Sequence, residues 1–237
     1  MLTRALVLAT GVGWVACASE GGAFLPGDDP GTGTSTLEVT ASAIATPRFP
    51  NASAAADYDT AFHVAVEKAD VRVTMGAVTV ATVAGAVQLT FDTRDGGAWI
   101  GRQAGYHEIY LLDVVSGADS VDDVRSDGPD LHVFTAPPAA AVVDATMPLA
   151  VTWTRRDTAT HATLRTAALA EAEVPDTGTF TIEVGGLASA PDRRVDEEVR
   201  LDRRSEVVPA GATTGSTWTV EVRNTVKVVV APTAPPS

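Results

Sequence analysis

From Thr36 onward, apolar residues recur at every second position. Phe62, Val64 and Val66 alternate with His63, Ala65 and Glu67, and Val87, Leu89 and Phe91 alternate with Gln88, Thr90 and Asp92. Leu149, Val151 and Trp153 stand opposite Thr152 and Thr154, and Phe180, Ile182 and Val184 stand opposite Thr181 and Glu183. The longest run, Trp218, Val220, Val222, Val226, Val228 and Val230, keeps one parity almost to the end of the chain. A period of two puts the apolar side chains on one face of an extended backbone, so each run predicts a strand with one buried and one wet face. Antiparallel sheets are built from such strands. Turn-forming clusters separate the runs: Asp95-Gly96-Gly97, Ser116-Gly117, Asp127-Gly128-Pro129 and Gly185-Gly186. Strands punctuated in this way predict an all-β chain of the sandwich kind. Helix signals are confined to residues 166–173, whose composition favours helix, and to the charge-dense stretch 192–204, which reads as a turn or two; neither has an apolar stripe.

The sequence has 237 residues, enough for two such modules. Pro137 and Pro138 interrupt strand pairing beside a weakly patterned alanine-rich stretch, which predicts a boundary between residues 37–135 and 136–232. The expectation is therefore two consecutive antiparallel β-sandwich modules, followed by a disordered proline-rich tail over 233–237.

The first residues follow a different logic. Arg4 supplies a positive charge, and the twelve residues from Ala5 to Ala16 are uncharged and mostly apolar. As a helix they would cover ~18 Å, short of the ~30 Å hydrocarbon core, so the pattern is that of a secretory signal peptide over 1–16. Cys17 is the single cysteine of the chain, so it has no internal disulfide partner, and an unpaired thiol in an exported protein calls for a reason. The junction Trp14-Val15-Ala16-Cys17 resembles the bacterial lipoprotein signal, in which a small residue precedes a cysteine that becomes acylated. The resemblance implies a lipid bilayer as partner through acylated Cys17, with the outer membrane or cell surface as the destination, because Ala18 lacks the aspartate that retains some lipoproteins at the inner membrane. Residues 17–35, rich in Gly, Pro and Asp, carry too little apolar surface to fold and are expected to act as a flexible linker. Without acylation, the same residues describe a secreted protein.

Thirty acidic against seventeen basic side chains give a net charge of −13, which repels phosphate backbones and sets nucleic acid aside as a partner. A protein or glycan partner remains open.

Two segments carry family resemblances. Gly76-Ala77-Val78-Thr79-Val80, the run Val87 to Phe91, and Gly105-Tyr106 leading into Ile109-Tyr110-Leu111-Leu112-Asp113-Val114 resemble carboxypeptidase-regulatory and transthyretin-like sandwiches, which implies a structural or binding accessory without peptidase chemistry. In the second module Asp176-x-Gly178-x-Phe180-x-Ile182 resembles the E–F corner of immunoglobulin-like domains, with fibronectin type III modules as the related alternative. That resemblance implies Phe180 at the tyrosine position, Ile182 at the second-cysteine position and Trp153 as the core tryptophan. The same Asp176-Thr177-Gly178-Thr179 matches the signature of aspartic proteases, whose chemistry needs two carboxylates sharing a proton. One copy occurs, so catalysis would require a dimer.

No serine-nucleophile elbow, zinc-protease motif or phosphate-binding glycine loop is present. His63, His107, His132 and His161 are scattered singly and read as strand residues rather than metal ligands. Asp113, Asp119, Asp122, Asp123, Asp127 and Asp130 crowd one stretch; as solvated acidic loops they need no ligand, and as oxygen ligands they would bind calcium weakly. The expected function is that of a non-enzymatic, lipid-anchored envelope protein with no catalytic residue, metal or cofactor, acting in binding or as a spacer. A secreted accessory module with weak calcium-binding loops is the alternative, and an unrecognised hydrolase is more remote.

Overall fold

The computed structural model describes residues 27–94 and 96–233. The expected signal peptide 1–16, Cys17, the first part of the linker and residues 234–237 lie outside them. Among the described residues the regular structure is almost entirely strand, as the alternation predicts. The first half contains β1 (Thr32–Gly33), β2 (Glu38–Pro47), β3 (Tyr58–Lys68), β4 (Val71–Arg72), β5 (Ala77–Thr82), β6 (Gly85–Gln88), β7 (Thr90–Asp92), β8 (Ala98–Ala104), β9 (Ile109–Ser116) and β10 (Asp119–Asp127). The second contains β11 (Phe134–Ala136), β12 (Val142–Val143), β13 (Leu149–Trp153), β14 (His161–Arg165), β15 (Ala172–Glu173), β16 (Thr179–Ile182), β17 (Val195–Val207) and β18 (Thr217–Val230).

One ten-stranded sheet, in the order β15-β14-β17-β18-β2-β3-β8-β7 with β12 and β4 at its margins, backs both halves. A five-stranded sheet, β1-β10-β9-β5-β6, covers one end of it, and a three-stranded sheet, β11-β13-β16, covers the other. The spine is the β17–β18 hairpin, paired without a break from Val195↔Val230 to Val207↔Trp218. On its other edge β18 pairs in parallel twice, with β2 (Thr217↔Thr40 to Val222↔Ala45) and with β12 (Val142↔Val229, Val143↔Val230). The remaining named pairings are antiparallel.

The uniform parity of β18 explains how one strand serves two cores. Trp218, Val220 and Val222 pack with Phe62, Tyr110 and Leu112 in the first core, and Val226 and Val230 pack with Val151, Trp153 and Leu201 in the second. All point to the same face, so both smaller sheets lie on one side of the large one. Burying each such side chain contributes roughly 1.5–3 kcal/mol, which fixes the register of the hairpin at both ends. The expected division at 135/136 falls inside β11; the smaller sheets part earlier, over residues 128–133, and β18 and Val207 at the end of β17 reach into the first core. The modules share a sheet rather than following one another as beads.

Four local expectations change. The run from Val87 to Phe91 is not one strand: β6 pairs with β5 in the five-stranded sheet and β7 with β8 in the large one, with buried Leu89 at the crossing. Residues 166–173 form a turn and the short β15 instead of a helix. Residues 192–204 contribute most of β17, because Val199 and Leu201 face inward while Asp196, Glu198, Arg200 and Arg204 face out; inward Glu197 and Arg203 obscured that alternation. Finally, residues 27–35 are not a free linker. Asp29 bridges Arg125, β1 pairs with the edge of β10, and Ala210 and Ser35 bond across to Pro30 and Gly211. A strap held by sheet-edge and side-chain hydrogen bonds needs little apolar surface of its own, which is why composition alone read it as unfolded.

Candidate functional site

Between the two cores, the inward positions of the spine change character. Following Val199 and Leu201, β17 presents Arg203, and between Val222 and Val226 β18 presents Asn224, both fully buried. Each answers a demand made by the segment 128–134 that passes between the modules. The Asn224 side-chain amide donates to the carbonyls of Ala52 at 2.9 Å and His132 at 2.7 Å. Arg203 donates through Nη1 to the Asp130 carbonyl (2.7 Å) and carboxylate (3.0 Å), and through Nη2 to the Asp157 carbonyl (2.5 Å) and the Asp176 carboxylate (2.9 Å). Asp130 also accepts the backbone N–H groups of Arg156 and Asp157, at 2.5 and 3.1 Å. The Tyr106 hydroxyl donates to the Pro129 carbonyl, and Asn51 holds the Phe134 backbone through both ends of its amide. A guanidinium can be buried here because it meets two carboxylates and two carbonyls at once.

The electrostatics follow from that packing. Burial alone would raise the Asp176 pKa, but the hydrogen bonds from Arg203, the Ala159 amide and the Trp153 indole outweigh it and hold the carboxyl below its ordinary value. Burial, reinforced by the nearby charge of Arg203, pushes His132 down to about 3, so its imidazole is neutral. Its Nε2 lies 3.2 Å from the Leu201 carbonyl; a carbonyl only accepts, so Nε2 carries the proton.

This arrangement gives the Asp176-Thr177-Gly178 motif a structural task. Asp176 receives Arg203, the Trp153 indole at 3.3 Å and the Ala159 amide at 2.8 Å. Asp130 is the carboxylate that converges with it, but the guanidinium stands between the two, an arrangement opposite to two acids sharing a proton. Gly178 has φ +86°, a left-handed conformation, and its carbonyl accepts the Trp153 N–H. The motif leads into β16. β16, which follows it, pairs with β13 in the three-stranded sheet, whereas the strand in hairpin with the last one is β17. Residues 183–194 lead into β17, and Phe180 is partly buried. Trp153 is buried in the second core, on β13.

The other residues singled out in the sequence are dispersed. His63 lies on the outer face of β3, His107 packs edge-on against Tyr110, and His161 lies beside Glu173. Asp119 pairs with Lys68, Asp122 accepts Ser120, Asp113 accepts the Asp123 amide, and Asp127 pairs with Arg125. Asp130 belongs to the Arg203 cluster, so the acidic stretch spreads its carboxylates along a hairpin instead of gathering them. Cys17 lies outside the described residues.

Three features were not anticipated. Glu38, Glu67 and Asp70 approach one another at the end of the β2–β3 pair, with Glu67 also engaged by Arg72 at 3.1 Å. A polar cleft of about 390 Å³ lies beside the Arg203 cluster, lined by Asp28, Glu108, Arg125, Asp127, Asp157 and Ser205. On the outer face of the large sheet, a cleft of about 290 Å³ brings together Arg48, Phe49, Arg200, Arg223, Thr225 and Lys227. The sequence signal for the last was a set of basic residues at outward parity on β17 and β18, invisible as a group until the strands pair.

No family model matches the chain, and no curated protein matches it. Among solved structures, it is similar to a chain reported under "Structural insight into host cell surface retention of a 1.5-MDa bacterial ice-binding adhesin", at 14% identity and a TM-score of 0.24, over 81% of this chain and 65% of that one. It is also similar to the beta-1,2-glucanase from Parabacteroides distasonis, at 9% identity and a TM-score of 0.20, over 89% of this chain and 38% of that one. The chain thus spans less than two thirds of either.

Proposed function

We propose that this chain is a non-catalytic, lipid-anchored protein of the bacterial envelope whose two sandwich modules act as one stiff body, carrying a binding surface or setting a spacing. The observation that carries this reading is the β17–β18 hairpin, which runs unbroken through both cores. A hinge between the modules would have to break backbone pairing and expose Arg203 with its two carboxylates, a change of several kcal/mol. The strap supports the anchoring half of the reading: with residues from Gly27 onward held against β10, only nine residues separate them from Cys17. Fully extended, they reach about 30 Å, so acylation at Cys17 would keep the modules close to a bilayer.

Two measurements test the two halves. Paired cysteines replacing exposed Val83 and Val184, in a Cys17→Ala background and spin-labelled, should give one narrow distance distribution by electron–electron resonance. A broad or two-peaked distribution overturns the stiff body. The natively expressed protein should enter the detergent phase, and Cys17→Ala should leave it; an unmodified Cys17 by intact mass removes the anchor.

A further inference from the structure

The shared sheet has a notch. Along one edge of β18, β2 pairs only as far as Val222 and β12 begins only at Val229. The six residues between them, 223–228, have no neighbouring strand on that side, because β2 and β12 meet this edge end to end without joining. Loops wall the opening: Thr46–Pro50, where β2 turns away, and the segment at Ala140, with Asn51 and Ala140 each donating one backbone bond to the exposed edge. The outward side chains of the spine form the floor.

In a chain of net charge −13, the Phe49 side of the notch gathers four cations, Arg48, Arg200, Arg223 and Lys227; Glu198 lies among them, and Asp196 lines the Ala140 side. Three of these cations are paired with carboxylates beside them on the same outer face. Arg200 engages Asp202 through Nε and Nη2 (2.7 and 2.6 Å), Arg223 engages Glu221 through Nε (2.5 Å), and Arg48 engages Asp59 (2.6 Å). Each keeps guanidinium N–H groups beyond those bonds: Nη1 of Arg200 and Arg48, and both Nη atoms of Arg223. Donors fixed in direction before a ligand arrives lose little entropy on binding it. Lys227 is exposed, across the strand from Glu198. Phe49 stands at the rim with 51% of its surface exposed, and Thr225 adds a hydroxyl.

We infer that the notch binds an anionic saccharide, with the oxyanion of the sugar on the Arg200–Arg223–Lys227 floor and the apolar face of the pyranose ring against Phe49. Planar guanidinium groups favour a carboxylate or phosphate, an exposed ring offers an apolar surface for the C–H face of a sugar, and a shallow cleft of about 290 Å³ suits one or two residues of a chain rather than a whole small molecule buried on all sides. The inference deepens the binding half of the proposed function and rests on it; the anchor and the stiffness of the body stand apart from it.

The test is calorimetric titration of the full chain in detergent with tri-galacturonate, galactose 6-phosphate and neutral galactotriose, at low and at high salt. Saturable binding of an acidic sugar with Kd of about 1 mM or tighter, weakened by salt and absent for galactotriose, is the expected result. Binding of tri-galacturonate or of the phosphate sugar identifies which oxyanion the site takes. Lys227→Glu should weaken binding about tenfold or more and Phe49→Ala severalfold, both at exposed positions with an unchanged urea midpoint. Acidic and neutral sugars giving the same heats up to about 10 mM, or Lys227→Glu binding as the wild type does, overturns the inference. Either failure leaves the spin-label distances and the detergent partitioning as they were.

Discussion

Arg203 and Asp176 meet with Nη2 2.9 Å from Oδ2, and neither side chain is more than 3% exposed. The pair joins the middle of β17 to the turn before β16, while the other arm of the guanidinium takes Asp130 from the segment between the modules. One side chain therefore closes the second sandwich and fastens it to the first.

Removing that cation leaves two carboxylates in a place built for their partner. Arg203→Met should lower stability by about 3–5 kcal/mol in urea unfolding, since an unpaired buried charge costs more than the methionine packing returns. Arg203→Lys should recover little, because a single ammonium cannot reach Asp130, Asp176 and the Asp157 carbonyl together. A loss below about 1 kcal/mol in Arg203→Met would show that the cluster is not what joins the halves.

Acid should loosen the fold before neutral pH is far behind. His132 titrates near its ordinary value when unfolded but is pushed down to about 3 when folded. Between those values the unfolded state binds a proton that the native state refuses, so stability is complete above about pH 6.5 and falls as pH drops, by up to about 1.4 kcal/mol per unit. His107, lowered chiefly by burial, acts in the same direction, and the depressed Asp176 carboxyl adds its loss below about pH 4. The urea midpoint should fall between pH 7 and pH 4 and fall less in His132→Gln. Parallel profiles for the two proteins would remove His132 from the explanation.

The strap over residues 27–35 depends on two backbones passing without side chains between them. A methyl on Gly211 would overlap the Thr32 carbonyl, where Ser35 now donates to the Gly211 carbonyl at 2.9 Å. Gly211→Ala should release the strap while both cores persist, seen as amide exchange at residues 29–35 about tenfold faster or more, with β3 and β18 still protected. Unchanged exchange there would mean that the strap is held without this contact.

Asn224→Leu tests whether the polar layer between the cores is needed. The substitution leaves the Ala52 and His132 carbonyls without their donor and should cost about 1–3 kcal/mol despite the added apolar surface. A stabilised variant would show that the two cores can merge.

Much of this architecture was legible before folding was considered. The alternation around Phe62, Val151 and Trp218 identified strands and their buried faces, because a side chain's face on a strand depends only on its neighbours two residues away. The run from Trp218 to Val230 even marked the junction, since Asn224 is the one polar residue at inward parity. Its meaning was hidden because the carbonyls it serves are 172 and 92 residues away. β17 was missed for a related reason: Glu197 and Arg203 occupy inward positions, and charges there are compatible with burial only once the Ala167 and Ala188 amides, or Asp130 and Asp176, are in place.

By itself, then, the order of residues determined local facts: which segments extend, which side of each is apolar, and where the chain turns. Only tertiary structure decided that two sandwiches would share β18, that Asp176 would be a clamp, and that Arg200, Arg223 and Lys227 would line one notch. Those outcomes depend on hydrogen bonds and charges whose partners are distant in sequence, and such terms have no value until the strands are side by side.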